Sequence, residues 1–265
     1  MSLSLNVFRS SVENDSLGAT STIIMGAKDA IIVDPQFTLA NAYRLIAEVI
    51  EMNKNIIKIF ITNLHPDHIL GVQVIKFFFP DAEVLSHCNS YDKINESFDL
   101  NTDFWCVGRE NFTKGKVDIK IINESIILLE GHEIHILDFT SIECINVTPL
   151  WVPSIKAIVA SDLVFSNIHI CIGCLINTQL INGWIKCLDF LENLKADLVV
   201  PGHSSCPLTL SPSAINFSKN YLTNFIDALQ TVKDSTSLKN EMDKFYKHLP
   251  ARICLEYNAK NINYS

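Results

Sequence analysis

His65, Asp67 and His68 lie close together in the stretch Thr62-Asn63-Leu64-His65-Pro66-Asp67-His68-Ile69-Leu70-Gly71. Imidazole nitrogens and carboxylate oxygens are the donors that hold zinc, iron or manganese. One short turn can aim several of them at a single ion, and Pro66 narrows that turn by fixing its own φ. The same residue types are also ordinary turn formers. Taken alone, the run leaves metal binding and a plain polar turn both open.

The flanking elements decide where the run sits. Apolar, mostly β-branched residues precede it (Ile56, Ile57, Ile59, Phe60, Ile61), as in a buried strand. After Gly71 the apolar spacing turns helical through Val72, Val74, Ile75 and Phe78. The run therefore occupies the C-terminal end of a strand, where ligand sites form in open α/β sheets.

Upstream, residues 3–8, 19–25 and 29–34 read as strands, with 26–29 as a hairpin turn. Thr38 is placed as an N-cap, and Leu39, Ala42, Leu45, Ile46, Val49 and Ile50 recur at helical spacing through Met52. A strand over 56–62, a helix over 72–79 and a strand over 82–86 complete a β-α-β-α-β order, which argues for a layered α/β fold. Residues 88–108 have helical spacing. The short apolar runs 117–122, 125–129, 133–139, 144–151 and 157–160 suggest a second, mostly antiparallel sheet. Helices are expected over 182–194, 213–229 and 237–247, with a strand at 198–200. The stripe Phe217, Tyr221, Leu222, Phe225 and Leu229 lies at helical spacing and reads as core. No linker or low-complexity segment divides the chain, so residues 1–265 are expected to form one domain.

Composition narrows the function classes. The chain has 265 residues, 48% of them hydrophobic and 19% charged, which suits a packed core and not a disordered chain. Its formal charge is −8 and its Lys and Arg are scattered, so no nucleic-acid footprint is expected. No stretch of about 18 uninterrupted apolar residues predicts a membrane span. The first ten residues lack the apolar core of a signal peptide. Cytoplasmic location is the default, and the eight cysteines read as reduced thiols.

With these features in view, the chain resembles the metallo-β-lactamase superfamily almost end to end. The family's early hairpin strand ending in Asp stands as Ala30-Ile31-Ile32-Val33-Asp34. Its His-x-His-x-Asp-His signature stands as Asn63-Leu64-His65-Pro66-Asp67-His68, and its Gly-Asp-x-x-Phe element as Ser161-Asp162-Leu163-Val164-Phe165. Its closing Pro-Gly-His turn is Pro201-Gly202-His203. The resemblance implies an αββα sandwich with a metal pocket at one edge. Two departures stand out. Asn63 replaces the first His of the signature, and no His fills the middle motif between Leu137 and Trp151, where Glu143 aligns nearest.

Carried over by position, the family's second metal site keeps Asp67, His68 and His203, with Asp162 able to bridge. The first site keeps only His65, with Asn63 and Glu143 in the other two places. Three readings follow: one ion at the intact site, two ions with oxygen-rich ligation at the first, or no ion at all. The metal is expected to be zinc, or else iron or manganese. The implied activity is hydrolysis of a small-molecule ester, thioester or lactone, with Asp67 orienting the nucleophile as well as binding metal. The rival is a binding role, or lyase or isomerase chemistry, on a depleted site. Oligomeric state is left open.

Other features carry two readings each. Cys171-Ile172-Gly173-Cys174 reads as structural thiols before half a zinc site or a redox motif. Cys206, three residues after His203, either neighbours the metal or packs. His169 lines the substrate pocket or is a satisfied loop histidine. His132 and His135, close to the turn at Gly131, read as exposed histidines before a metal pair. Asp34 either orients a metal ligand or starts an Asp-Pro turn.

Overall fold

The computed structural model describes the chain except residues 1, 13–16, 64, 88–110, 112–117, 140, 143–144, 174–176, 263 and 265. Strands β1 (Ser4–Arg9), β2 (Thr20–Met25) and β3 (Asp29–Val33) lead into helix α1 (Leu39–Glu51) and strand β4 (Asn55–Ile61). The metal-like run then forms a one-turn helix, α2 (Pro66–Ile69), before α3 (Val72–Phe78) and the strands β5 (Glu83–Ser86) and β6 (Lys120–Ile121). A second series follows: β7 (Ile126–Leu129), β8 (His132–Ile136), β9 (Leu150–Val152), β10 (Ala157–Val159) and β11 (Phe165–Ser166). Helix α4 (Thr178–Asn193) and strands β12 (Leu198–Val200) and β13 (His203–Ser204) come next. Helices α5 (Ser213–Leu229), α6 (Ser235–Tyr246) and α7 (Arg252–Lys260) end the described fold.

Six strands pair in the order β1-β2-β3-β4-β5-β6, antiparallel up to β3 and parallel beyond it. Five pair as β12-β10-β9-β8-β7, and β11 with β13 makes a short parallel ribbon. Side-chain alternation along each strand sorts the layers. From the first sheet Ile31, Val33 and Phe60 meet Ile134, Leu150 and Val159 of the second. Ile32, Ile59 and Ile61 face away, onto Leu45, Ile46 and Val49 of α1 and Ile75 of α3. Ile158 and Val199 likewise turn outward, onto Trp184 of α4, Tyr221 and Phe225 of α5 and Leu255 of α7. The result is the αββα sandwich. The central strands are apolar on both faces because both faces are covered.

Local expectations met several outcomes. Thr38 caps α1, its hydroxyl oxygen accepting from the Asn41 N–H at 3.2 Å. Helix α4 begins earlier than its periodicity suggests, at Thr178, because the Asn177 side chain caps it by accepting from the Leu180 N–H at 2.7 Å. The expected strand over 144–151 reaches regular pairing only at Leu150–Val152, and Pro153 opens a 3₁₀ turn directly after it. The expected helix over 88–108 lies outside the described residues. No described helix is long and apolar enough to cross a membrane.

Candidate metal centre

The site forms where three chain reversals meet. At the first, the backbone leaves β3 and turns sharply through Asp34 at φ 55°. The buried Asp34 carboxylate accepts from the Thr62 N–H at 2.8 Å and from the Thr62 hydroxyl at 2.5 Å. Its other contact is His68, whose Nδ1 stands 2.8 Å from Oδ2. Asp34 thus ties the end of β3 to the loop after β4 and aims an imidazole.

The second reversal is the loop after β4. Pro66 opens α2 at a position that needs no backbone N–H, and one helical turn presents buried Asp67 and His68. Gly71 closes it against the first reversal, where an added Cβ would meet the Pro35 carbonyl oxygen at 1.8 Å. No larger residue fits without moving the loop.

The third reversal combines two segments. Asp162 rides a 3₁₀ turn, Ser161–Leu163, whose first residue has φ 51°. Glycine adopts that backbone most readily, so Ser161 is strained where the related motif carries Gly. Gly202 packs on the turn, with its N–H donating to the Ser161 carbonyl at 2.9 Å. A Cβ there would meet the Ser161 carbonyl carbon at 2.4 Å. This contact lets His203 approach Asp162. Further support comes from Ser218 of α5, which bonds both the N–H and the C=O of Phe165 at 2.9 and 3.1 Å. Trp184 donates to the Leu163 carbonyl at 2.9 Å, and the Phe165 ring stacks on His203 with centroids 5.0 Å apart.

The donors converge. Nε2 of His68 and Nε2 of His203 face each other at 3.4 Å. Asp162 Oδ1 is 3.0 Å from each of them, and Asp67 Oδ2 is 3.3 Å from the His203 nitrogen. The opposite ring nitrogens are occupied. His203 Nδ1 donates to the Leu17 carbonyl at 3.0 Å, and His68 Nδ1 donates to Asp34. Those bonds leave both Nε2 atoms as lone-pair donors turned toward one point. Protonating both would set two N–H groups against each other. Meanwhile Asp67 Oδ1 is buried without a hydrogen-bond partner, and Asp162 Oδ1 has only the two Nε2 atoms beside it. Such atoms are costly to bury unpaired. A single cation answers all of them: nitrogens about 2.0–2.1 Å from a tetrahedral ion stand roughly 3.3–3.4 Å apart. Among the described residues, Asp67, His68 and His203 form the one group whose ligand atoms all lie within 4.8 Å of one another.

Electrostatics agree. Burial presses the His68 and His203 imidazoles toward neutrality, yet the carboxylates of Asp162 and Asp67 outweigh it and raise both. Burial would raise the Asp162 carboxyl, but the facing imidazoles hold it well below the usual range. The cluster is short of positive charge, which is the condition of a cation site.

The remaining sequence candidates stand differently. Asn63 donates from Nδ2 to Ser161 Oγ at 3.0 Å and to Asp162 Oδ2 at 3.2 Å, while its Oδ1 accepts from the His65 N–H at 2.8 Å. Its amide is committed to holding Asp162. His65, with a side chain 63% exposed, turns Nδ1 onto Asp162 Oδ2 at 2.7 Å. Desolvation opposes its charge, but this bond and the nearby carboxylates push the imidazole up to about 9. Glu143 lies outside the described residues. His169 is buried, with Nδ1 2.9 Å from the Tyr221 hydroxyl. Burial, aided by the Arg252 charge, lowers it to about 4. Cys206 is exposed and lines a separate cavity of about 530 Å³ with Arg9, Asn167 and His248. Thr62 and the Leu17 carbonyl carried no signal in the sequence, while Ser161 and Phe165 stood within a quoted motif without being given a role.

Comparison with known proteins gives the following. A family model described as the metallo-beta-lactamase superfamily matches residues 15–203. No curated protein matches the chain in sequence. Among solved structures, a metallo-beta-lactamase family protein from Thermus thermophilus superposes with a TM-score of 0.64 at 16% identity, covering 97% of this chain and 93% of its own. A metallo-beta-lactamase from Pontibacter korlensis gives 0.60 at 14% identity, over 84% and 95% of the two chains. The FIM-1 metallo-beta-lactamase from Pseudomonas aeruginosa, in its mono-zinc form, gives 0.59 at 12% identity, over 84% and 91%. At such identities the likeness speaks for the fold alone.

Proposed function

The chain belongs to the metallo-β-lactamase superfamily, and from that premise we propose that it is a hydrolase of small acyl compounds, esters, thioesters or lactones, dependent on one divalent metal ion. Asp67, His68 and His203 are the proposed ligands, with Asp162 beside them. We read residues 1–265 as one domain working in the cytoplasm. The observation that carries the proposal is the pair of Nε2 atoms 3.4 Å apart, each fixed by a bond on its far nitrogen, with the carboxylate oxygens of Asp67 and Asp162 around them. Two imidazoles with carboxylates suit zinc, and also iron or manganese.

A bound ion would supply Lewis acidity toward a carbonyl oxygen and would acidify water. The chain's own groups do the rest. Whichever Asp67 oxygen the ion leaves free would accept a hydrogen bond from the attacking water and so orient it. Asp162 holds Nδ1 of His65, which projects from the rim and can donate a proton from Nε2 to the departing alkoxide or thiolate. Asn63 and Ser161 fix Asp162 in place. Because Asn63 is spent on that task, the family's first site lacks a ligand, which favours one ion over two.

The test is metal analysis of protein purified without chelators, followed by assays on aryl esters, acyl thioesters and lactones. About one equivalent of metal, with turnover lost in His203→Ala, supports the proposal. Less than about a tenth of an equivalent, with no gain on reconstitution, overturns it. The second reading, a binding or non-hydrolytic role, draws on the Asn63 substitution. Under it His203→Ala lowers stability or ligand binding, and none of these substrates turns over.

A further inference from the structure

The segment after β11 runs against α7, and Asn258 clamps it there. Its Oδ1 accepts from the Ile172 N–H at 2.9 Å and its Nδ2 donates to the Ile170 carbonyl at 2.8 Å. The His169 N–H adds a bond to the Pro250 carbonyl at 3.1 Å. Between the two clamped residues stands Cys171. One turn before Asn258, on the same face of α7, stands Cys254. The clamp holds Cys171 alongside the helix that carries Cys254, and the two thiols interact electrostatically as a pair. The pairing holds Cys171 below the ordinary thiol range and Cys254 well above it. Both are free, Cys171 half-buried and Cys254 buried.

We propose that Cys171 and Cys254 form a reversible disulfide under peroxide, with half-buried Cys171 as the attacking sulfur and buried Cys254 as the resolving one. The Cys171 thiolate attacks one oxygen of hydrogen peroxide. An S–O bond forms, the O–O bond breaks, and hydroxide leaves to take up the thiol proton as water. The Cys254 sulfur then attacks the sulfenic sulfur. The S–O bond breaks, and its oxygen leaves as a second water carrying the Cys254 proton. Two thiols lose two electrons in all, and one peroxide accepts them. The bond would fasten the segment following β11, the strand paired with the His203 strand, onto α7.

Peptide mapping of peroxide-treated, full-length protein under non-reducing conditions tests this. The expected product is a Cys171–Cys254 linked peptide, with two of the eight thiols lost and both recovered by dithiothreitol. Cys171→Ser should slow thiol loss at least about tenfold. Cys254→Ala, checked for folding by circular dichroism, should leave a sulfenic acid on Cys171 that dimedone traps. The wild-type map needs no variant, so the proposal stays testable if Cys254→Ala does not fold. A link from Cys171 to Cys174 or Cys206, thiol loss at the wild-type rate in Cys171→Ser, or no link after about a hundredfold peroxide excess would each overturn the proposal.

Discussion

Replacing Asp34 by Asn separates aiming from ligation, because Asp34 touches His68 and not the point where the Nε2 atoms meet. Its carboxylate serves three buried donors: the Thr62 N–H at 2.8 Å, the Thr62 hydroxyl at 2.5 Å and His68 Nδ1 at 2.8 Å. Removing the side chain with Ala would strand all three at about 1–3 kcal/mol each, a loss comparable with the whole stability of many domains, about 5–15 kcal/mol. Asn keeps the shape and one acceptor oxygen but drops the charge that holds the Nδ1 proton and keeps Nε2 as a lone pair. Losses of this kind of support usually cost about 10–100-fold in metal affinity, or about 1.4–2.7 kcal/mol. The assay is a competition titration against a chromophoric chelator, with far-ultraviolet circular dichroism recorded at each point to confirm the fold. Affinity within about twofold of wild type would refute the reasoning, since His68 would then be aimed by backbone packing alone.

Three further outcomes are expected. Gly202→Ala should destabilise by about 3 kcal/mol or more and weaken metal binding, because its Cβ would meet the Ser161 carbonyl carbon at 2.4 Å; an unchanged melting temperature refutes this. Asn63→Ala should lower stability by roughly 1–3 kcal/mol without lowering the metal content per chain, and a drop in that content would make Asn63 a ligand. His169, lowered to about 4 by burial, stays neutral where the unfolded chain takes up a proton near 6.5. The contribution of His169 to stability therefore rises with pH between about 4 and 6.5, by at most about 1.4 kcal/mol per pH unit, and is constant above. Denaturant titrations across that range should show this slope reduced in His169→Gln, and an unchanged slope refutes the assignment.

Much of the first half of the fold was legible in the chain. The apolar runs of β3 and β4, the Thr38 cap and the 3.6-residue spacing of α1 are local properties, and local properties leave local patterns. Helix α7 was not foreseen. Its hydrophobic face is short, and its partners Tyr221 and the segment at Ile170–Ile172 come from distant parts of the chain. The β11–β13 ribbon was also missed, because two-residue strands carry no periodicity.

The candidate site divides along the same line. The sequence alone determined which donors exist, two imidazoles and a carboxylate in one proline-bearing turn and more in two later turns, because side-chain chemistry and turn propensity are written residue by residue. Tertiary structure decided which donors meet. The pairing of β11 with β13, and of Gly202 with the Ser161 turn, places His203 Nε2 3.0 Å from Asp162 and 3.3 Å from Asp67. It also decided what each donor is free to do. Asn63 reads as a ligand by its place in the motif, but the Asp162 carboxylate and the His65 N–H take both ends of its amide. Hydrogen bonds between residues roughly a hundred positions apart are settled by packing, and no local pattern encodes them.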